Sequence, residues 1–150
     1  MPRIFSSIDD VREALGAPIG PSQPIRIDQH KIDALAEVTD DPQWIHTDPE
    51  RARSGPFGTT IAHGYLSLAL LPHFGRELFT LDFGSARVNY GVNKVRFPAP
   101  IPVDSELRAT VTSTDISEVT AGTLLTATYT LDAGSSKPAC IAETLVLIVS

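Results

Sequence analysis

The hydrophobic pattern divides the chain into a helical first half and a strand-rich second half. Apolar residues lie nearly all round the segment Thr60 to Phe79, which is typical of a helix buried by the rest of the protein, and Pro72 predicts a kink or a break within it. Strand-like runs follow at Arg87 to Phe97, Leu107 to Ser117, Thr123 to Leu131 and Ile141 to Val149. One long apolar helix followed by strands suited to antiparallel pairing predicts an α+β fold, with the sheet wrapped against the helix.

Two shorter helices precede the buried one. Ser7 to Leu15 predicts a helix capped by Ser7, and Asp28 predicts the cap of a second helix with Ile32 on its apolar face. The next segment, Asp40 to Gly58, is rich in Pro, Asp and Gly and predicts a structured loop with short helical turns.

The last strand predicts how the protein assembles. Ile141 to Val149 is a continuous aliphatic run, which suits a strand covered on both faces. One helix and one sheet within a single chain do not cover both faces of this strand, so a second chain is needed to cover it. We therefore predict a homodimer whose sheets join edge to edge.

Composition narrows the class of protein. The chain has 150 residues, 42% of them hydrophobic, and no repeat or linker divides it, so we expect a single domain over residues 1–150. The net charge is -6 and no Lys/Arg cluster is present, which argues against nucleic acid as a partner. One cysteine, Cys140, excludes a disulfide within the chain. No apolar run reaches the ~18 residues of a membrane span and no signal peptide precedes the domain, so we predict a cytoplasmic protein.

The segment Asp41-Pro42-Gln43-Trp44-Ile45-His46 places a carboxylate and an imidazole five residues apart. On a continuous helix these two would point about 140° apart, from ~100° per residue. They can share one water only across a single bounded turn, Pro42 to Ile45. The same sequence also predicts helix caps at Asp41 and Asp48, each followed by proline, and local sequence alone favours the capping role.

Gly64 follows in Ala62-His63-Gly64, at the predicted first turn of the buried helix. The first N–H groups of a helix have no internal partner and carry the positive end of its dipole. A glycine there lets a substrate carbonyl approach an oxyanion donor. Close packing of helix against sheet predicts a glycine here equally well.

Other polar residues give weaker signals. Lys94 and Arg96 alternate with apolar residues along one predicted strand, which fits either a solvated edge or a positive rim for a phosphate-bearing ligand. His30, His63 and His73 match no zinc spacing, and no phosphate-binding glycine loop is present. We therefore predict neither a metal nor a cofactor.

Three segments together resemble the MaoC-like (R)-specific enoyl-CoA hydratases. They are Asp41-Pro42-Gln43-Trp44-Ile45-His46, Gly58-Thr59-Thr60-Ile61-Ala62-His63-Gly64 and Asn89-Tyr90-Gly91-Val92-Asn93-Lys94-Val95-Arg96-Phe97-Pro98. The resemblance runs from about Ile25 to the C-terminus. It implies a hot-dog fold, in which a long central helix is wrapped by an antiparallel β-sheet. It also implies a dimer that adds water to trans-2-enoyl thioesters of CoA or acyl carrier protein.

The resemblance implies a role for particular residues. The family motif Gly-Asp-x-Asn-Pro-x-His puts the catalytic pair on Asp41 and His46, and the family's backbone oxyanion donor falls on Gly64. Asp40 stands where the family has glycine, and Trp44 stands where it has proline. Two other functions remain open on the sequence: a hot-dog acyl-CoA thioesterase, which would release free thiol, and a non-catalytic acyl-thioester binding module, which would bind without turnover.

Overall fold

The computed structural model describes all of residues 1–150. Along the chain its elements are β1 (Arg3–Phe5), α1 (Ile8–Glu13), β2 (Pro18–Ile19), β3 (Ile25–Ile27), α2 (Gln29–Thr39), α3 (Trp44–Thr47), α4 (Pro49–Arg53), α5 (Gly64–Ala69), α6 (Leu71–Leu78), β4 (Phe79–Leu81), β5 (Ala86–Arg96), β6 (Ser105–Val119), β7 (Gly122–Asp132) and β8 (Cys140–Val149). Helices dominate the first half and long strands the second, as the hydrophobic pattern predicts.

Antiparallel pairing joins the long strands into one sheet. Their order is β2-β6-β7-β8-β5, and β3 pairs with another part of β6. In the middle of the sheet Tyr129 of β7 lies opposite Val111 of β6 on one side and Ala142 of β8 on the other. The short strands β1 and β4 form a separate parallel pair. The predicted α+β arrangement of one sheet and a few helices is confirmed.

The buried apolar segment forms two helices rather than one. Helix α5 ends at Ala69 and α6 begins at Leu71, so that Pro72 lies in the first turn of α6, where its missing N–H is not needed. The predicted break is confirmed. The predicted start at Thr60 is wrong, because Ile61 forms a β-bridge with Pro102 and keeps the chain extended until Gly64.

Local capping explains the two N-terminal helices. The hydroxyl of Ser7 accepts a hydrogen bond from the Asp10 N–H at 3.1 Å, and Asp28 Oδ1 accepts from the Lys31 N–H at 2.9 Å. Both predicted caps are confirmed. The longest helix, α2, has 11 residues, and no helix of the structure is both long and apolar enough to cross a membrane.

The core has two parts. The larger places helix residues Ile32, Phe74 and Leu78 in a cluster of 17 buried residues that also includes the inward-facing side chains of β6, β7 and β8. A smaller cluster joins the N-terminal segment to the sheet, and its five buried members are Phe5, Val11, Ala14, Leu125 and Ile148. Ile19 and Phe79 pack against both clusters.

The sheet is incompletely covered within one chain. Strand β8 is paired on both sides, yet Ile141 is exposed and the run from Glu143 to Leu147 is only half-buried. Every residue of β5, apart from the half-buried Val95, is exposed, including Val88 and Tyr90. A single chain does not cover both faces of β8, and the predicted cover stays a prediction that depends on a partner chain.

Candidate active site

A single helical turn carries the first predicted site residue. Helix α3 spans Trp44–Thr47, two residues later than predicted, and His46 lies within it. Asp41 precedes the turn and does not cap it, so the capping role favoured by local sequence is wrong for Asp41. Its N–H instead donates to the Ala36 carbonyl at 3.0 Å, at the end of α2. Asp48 does act as the predicted cap and accepts from the Arg51 N–H at 3.1 Å.

Two of the departures from the family motif, Asp40 and Trp44, have local explanations. Asp40 ends α2 in the left-handed conformation, with φ of 54°, which is the conformation that favours glycine and that aspartate tolerates. The ring of Trp44 has two close neighbours. The Arg51 guanidinium carbon is 4.3 Å from the ring centroid, and a Cβ on Gly55 would be 2.8 Å from the ring carbon Cζ3. Trp44 thereby holds α3 against α4.

His46 is buried and its orientation is determined by one hydrogen bond. Its Nδ1 lies 2.7 Å from the Ile61 carbonyl oxygen. Because a carbonyl only accepts, Nδ1 carries the hydrogen and Nε2 has a free lone pair in the neutral ring. Burial lowers the pKa of His46 and the nearby His63 adds to this, against the opposing effects of the Ile61 hydrogen bond and Asp41. His46 is thus held as a neutral base.

A third side chain, His63, lies between the predicted pair. Its Nε2 is 3.0 Å from the Asp41 carbonyl oxygen and 3.7 Å from Asp41 Oδ2. Its ring stacks on that of His46, with centroids 3.8 Å apart and planes 24° apart. Sequence reasoning considered His63 only as a metal ligand. The signal for a role in the site was its position directly before Gly64 in one of the three motif segments.

Asp41, His46 and His63 bring their polar atoms to one place. One such atom from each lies within 4.8 Å of the other two. The two imidazoles are buried, whereas the Asp41 side chain is 53% exposed. A carboxylate and two imidazoles could ligate a metal ion, but rings stacked at 24° do not direct two lone pairs to a point 2.0–2.1 Å from each nitrogen, about the usual Zn–N distance. The arrangement suits a bound water better than a shared ion.

Gly64 faces the same region as His46. It is the first residue of α5, so its N–H has no acceptor within the helix. His63 is the N-cap of α5. A Cβ at Gly64 would lie 2.7 Å from the ring of Phe97, so close packing also requires glycine here. Gly64 and Phe97 line a cavity of about 280 Å³ together with His46, Ile61 and Ala139.

Gln29 ties this region to α2. Its amide oxygen accepts from the Thr60 hydroxyl at 2.6 Å, and its amide nitrogen donates to the His46 carbonyl at 2.7 Å. The Ile61 N–H also donates to the Ile45 carbonyl at 3.0 Å. The segment that carries His46 and the segment that precedes Gly64 are therefore joined to each other and to α2.

Lys94 and Arg96 lie apart from the buried groups. Both are exposed on β5, and Arg96 donates to the Val95 carbonyl at 2.8 Å. They are close to the site in sequence, because Phe97 directly follows Arg96 and lines the cavity beside Gly64.

A larger cavity lies between α6 and the sheet. Its volume is about 650 Å³, and its lining includes Leu71, Gly75, Phe79, Tyr129 and Val146. A Cβ at Gly75 would lie 2.7 Å from the Tyr129 hydroxyl, and burial raises the pKa of Tyr129 to about 12. None of Asp41, His46 and His63 lines this space.

Residues 10–134 match the profile of the MaoC-like domain. The chain belongs to the MaoC-like family. The match begins within α1, earlier than the predicted Ile25, and it ends before β8, whereas the predicted resemblance continues to the C-terminus. The 3-hydroxyacyl-thioester dehydratase Z of Mycobacterium tuberculosis is 46% identical over 150 residues, covering 99% of both chains.

Solved structures of this family share the hot-dog fold, as the resemblance implies. The (R)-hydratase from A. caviae is 25% identical with a TM-score of 0.61, covering 87% of this chain and 97% of its own. The R-hydratase PhaJ1 from Pseudomonas aeruginosa is 20% identical with a TM-score of 0.69, covering 91% of this chain and 82% of its own.

A further neighbour in fold is a complex of two different chains. The ChsH1-ChsH2 complex from Mycobacterium tuberculosis matches with a TM-score of 0.68 and 12% identity, covering 95% of this chain and 97% of that one. Proteins of this fold therefore also occur in assemblies of unlike chains.

Proposed function

We propose that this protein adds water to trans-2-enoyl thioesters and, in the opposite direction, removes water from (R)-3-hydroxyacyl thioesters. The observation that carries the proposal is the meeting of Asp41, His46 and His63 within 4.8 Å, beside the free N–H end of α5 at Gly64. The 46% identity to a 3-hydroxyacyl-thioester dehydratase over 99% of both chains supports it independently. The substrate is an acyl thioester of CoA or of an acyl carrier protein.

In the proposed mechanism the Gly64 N–H polarises the thioester carbonyl and makes Cβ electrophilic. A water lies between the Asp41 carboxylate and His46 Nε2. His46 Nε2 accepts a proton as the water oxygen bonds to Cβ, because the hydrogen bond to Ile61 leaves this nitrogen unprotonated. The resulting enolate oxygen is stabilised by the N–H of Gly64.

A proton then returns from the imidazolium of His46 to Cα. One O–H bond of water and the π bond between Cα and Cβ have broken, and one C–O and one C–H bond have formed, so the addition is balanced. Asp41 orients the water and stabilises the imidazolium. A positioned acid–base group contributes about 10²–10⁴-fold to the rate, and one oxyanion donor roughly 10²–10³-fold.

An assay with crotonyl-CoA tests this function against its rivals. Loss of the conjugated absorbance without release of free thiol is the expected result. Asp41→Asn and His46→Gln are each expected to abolish hydration while the protein stays folded. Thiol release would indicate a thioesterase, binding without turnover would indicate a binding module, and full activity in either variant would refute the assigned residues.

The exposed cations of β5 are proposed to contact the phosphates of CoA. Lys94 and Arg96 are exposed on the strand that leads into Phe97, beside the cavity. Lys94→Ala and Arg96→Ala should raise KM for crotonyl-CoA and leave KM for the N-acetylcysteamine thioester, which lacks these phosphates, unchanged. Arg108→Ala, which removes an exposed cation of β6, is the matched control.

We also propose that the protein is a homodimer joined through β5. This strand is the outer strand of the sheet, and its exposed Val88, Tyr90 and Val92 make a long apolar edge that a solitary chain would leave open to solvent. Light scattering at micromolar concentration should give twice the chain mass of 16.1 kDa. A monomer would contradict the proposal.

A further inference from the structure

We infer that His63 is a positioning residue that holds Asp41 at its place beside His46. The inference rests on the proposed hydration, in which those two groups act on one water. No hydrogen bond joins Asp41 to His46 directly, so another group must keep the two side chains together. His63 is the side chain that contacts both.

The tautomer of His63 follows from its neighbours. The Asp41 carbonyl lies 3.0 Å from Nε2 and can only accept, so Nε2 carries the hydrogen and donates it. Nδ1 is buried and has no hydrogen-bond partner. In a neutral ring with the hydrogen on Nε2, Nδ1 is a bare acceptor. Protonation would bury an unpaired N–H and place a charge on the ring stacked against His46.

This arrangement suits a holding role and excludes a proton-transfer role. A general base needs a lone pair that reaches the substrate, but Nε2 is occupied by Asp41 and Nδ1 is enclosed by protein. Leaving a buried polar atom unpaired costs stability, and such atoms in native structures call for an explanation. Here the same ring supplies the donor to Asp41 and the flat surface against His46.

Asp41 depends on this contact more than His46 does. His46 has its own hydrogen bond to Ile61. The Asp41 side chain is 53% exposed, and His63 Nε2 lies 3.7 Å from its Oδ2. Without that donor the Asp41 carbonyl loses its hydrogen bond, and the bond from the Asp41 N–H to the Ala36 carbonyl is left to hold the backbone of the residue. A displacement of about 1 Å in a reacting group can cost 10²-fold in rate.

Three variants separate the hydrogen bond from the stacked ring. His63→Leu removes both, His63→Phe keeps a flat ring without the N–H, and His63→Gln supplies an N–H near the position of Nε2. We expect kcat for crotonyl-CoA to fall about 100-fold in the Leu and Phe variants with little change in KM. The Gln variant should recover most of the lost kcat. Urea unfolding of each variant monitors the fold.

A near wild-type kcat in folded His63→Leu would overturn the inference, as would a folded Gln variant no more active than Leu. If these variants do not fold, nitrogen NMR of the wild-type protein decides: we expect the hydrogen of His63 on Nε2, and the opposite tautomer, with the hydrogen on Nδ1, contradicts the inference. Failure of the proposed function is separate, since wild-type protein would then release thiol or leave crotonyl-CoA unchanged.

Discussion

His46 Nδ1 donates a hydrogen bond to the Ile61 carbonyl at 2.7 Å, across 15 residues of chain. This bond leaves Nε2 as the available base, and the burial that accompanies it lowers the pKa of the ring below its ordinary value of 6.5. We therefore expect the acid limb of the kcat/KM profile for crotonyl-CoA to have its midpoint below pH 6.5. An NMR titration of His46 should give a matching value, and a midpoint above 6.5 would contradict the base role.

The lowered pKa of His46 also predicts how the free energy of unfolding depends on pH. His46 has an ordinary pKa in the unfolded chain and a lower one in the folded protein. Between these two pKa values the unfolded chain binds more protons than the folded protein. The free energy of unfolding therefore decreases as pH falls below 6.5, the upper limit of this window. His46→Gln should lessen the loss between pH 7.5 and 5.5 in urea unfolding. His30→Gln, at an exposed position, is the control, and an equal loss in wild type and His46→Gln would count against the shift.

Asp40 offers a test of backbone conformation next to the site. Its φ of 54° strains a side chain with a Cβ, and the cost for an ordinary residue is roughly 1–2 kcal/mol. We expect Asp40→Gly to be more stable than Asp40→Ala by about 1 kcal/mol in urea unfolding. Both variants remove the same carboxylate, so the comparison isolates the backbone. Equal stabilities would indicate that residue 40 is not left-handed.

Gln29 is expected to matter for both stability and activity. Gln29→Leu leaves the Thr60 hydroxyl and the His46 carbonyl without their present partner, at about 1–3 kcal/mol for each group that stays buried and unpaired. kcat should fall as well, because the turn that carries His46 loses a support. Asp33→Ala removes the third, exposed bond of the same amide and is the control, with a near wild-type kcat.

The contact between Gly64 and Phe97 predicts a steric effect. Gly64→Ala places a Cβ 2.7 Å from the Phe97 ring, and such overpacking typically costs about 1–3 kcal/mol. kcat should decrease because the N–H of residue 64 moves. Adding Phe97→Leu should restore part of the stability.

The structural features that could be predicted from the sequence are those that depend on residues close together along the chain. The caps at Ser7 and Asp28 depend on residues three positions away, and the break at Pro72 follows from its missing N–H. The α+β class followed from the periods of the hydrophobic pattern.

Features that depend on distant contacts were missed. Helix α5 starts at Gly64 because the preceding segment pairs with Pro102. Asp41 does not cap a helix because its N–H completes the end of α2. His63 belongs to the site because it is hydrogen-bonded to Asp41, 22 residues earlier in the chain, and local sequence spacing does not predict such a contact. The meeting of Asp41 and His46 was anticipated across a bounded turn, although the turn lies two residues further along the chain.

Ile19 and Phe79 pack against both hydrophobic clusters, and Phe79 also lines the 650 Å³ cavity. The first 14 residues therefore support one wall of that cavity without contributing to the turn that carries His46. Substitutions in this terminal segment can reshape the interior while the reactive groups keep their geometry. Divergence between relatives in the N-terminal segment is thus a route by which the cavity can change independently of the chemistry.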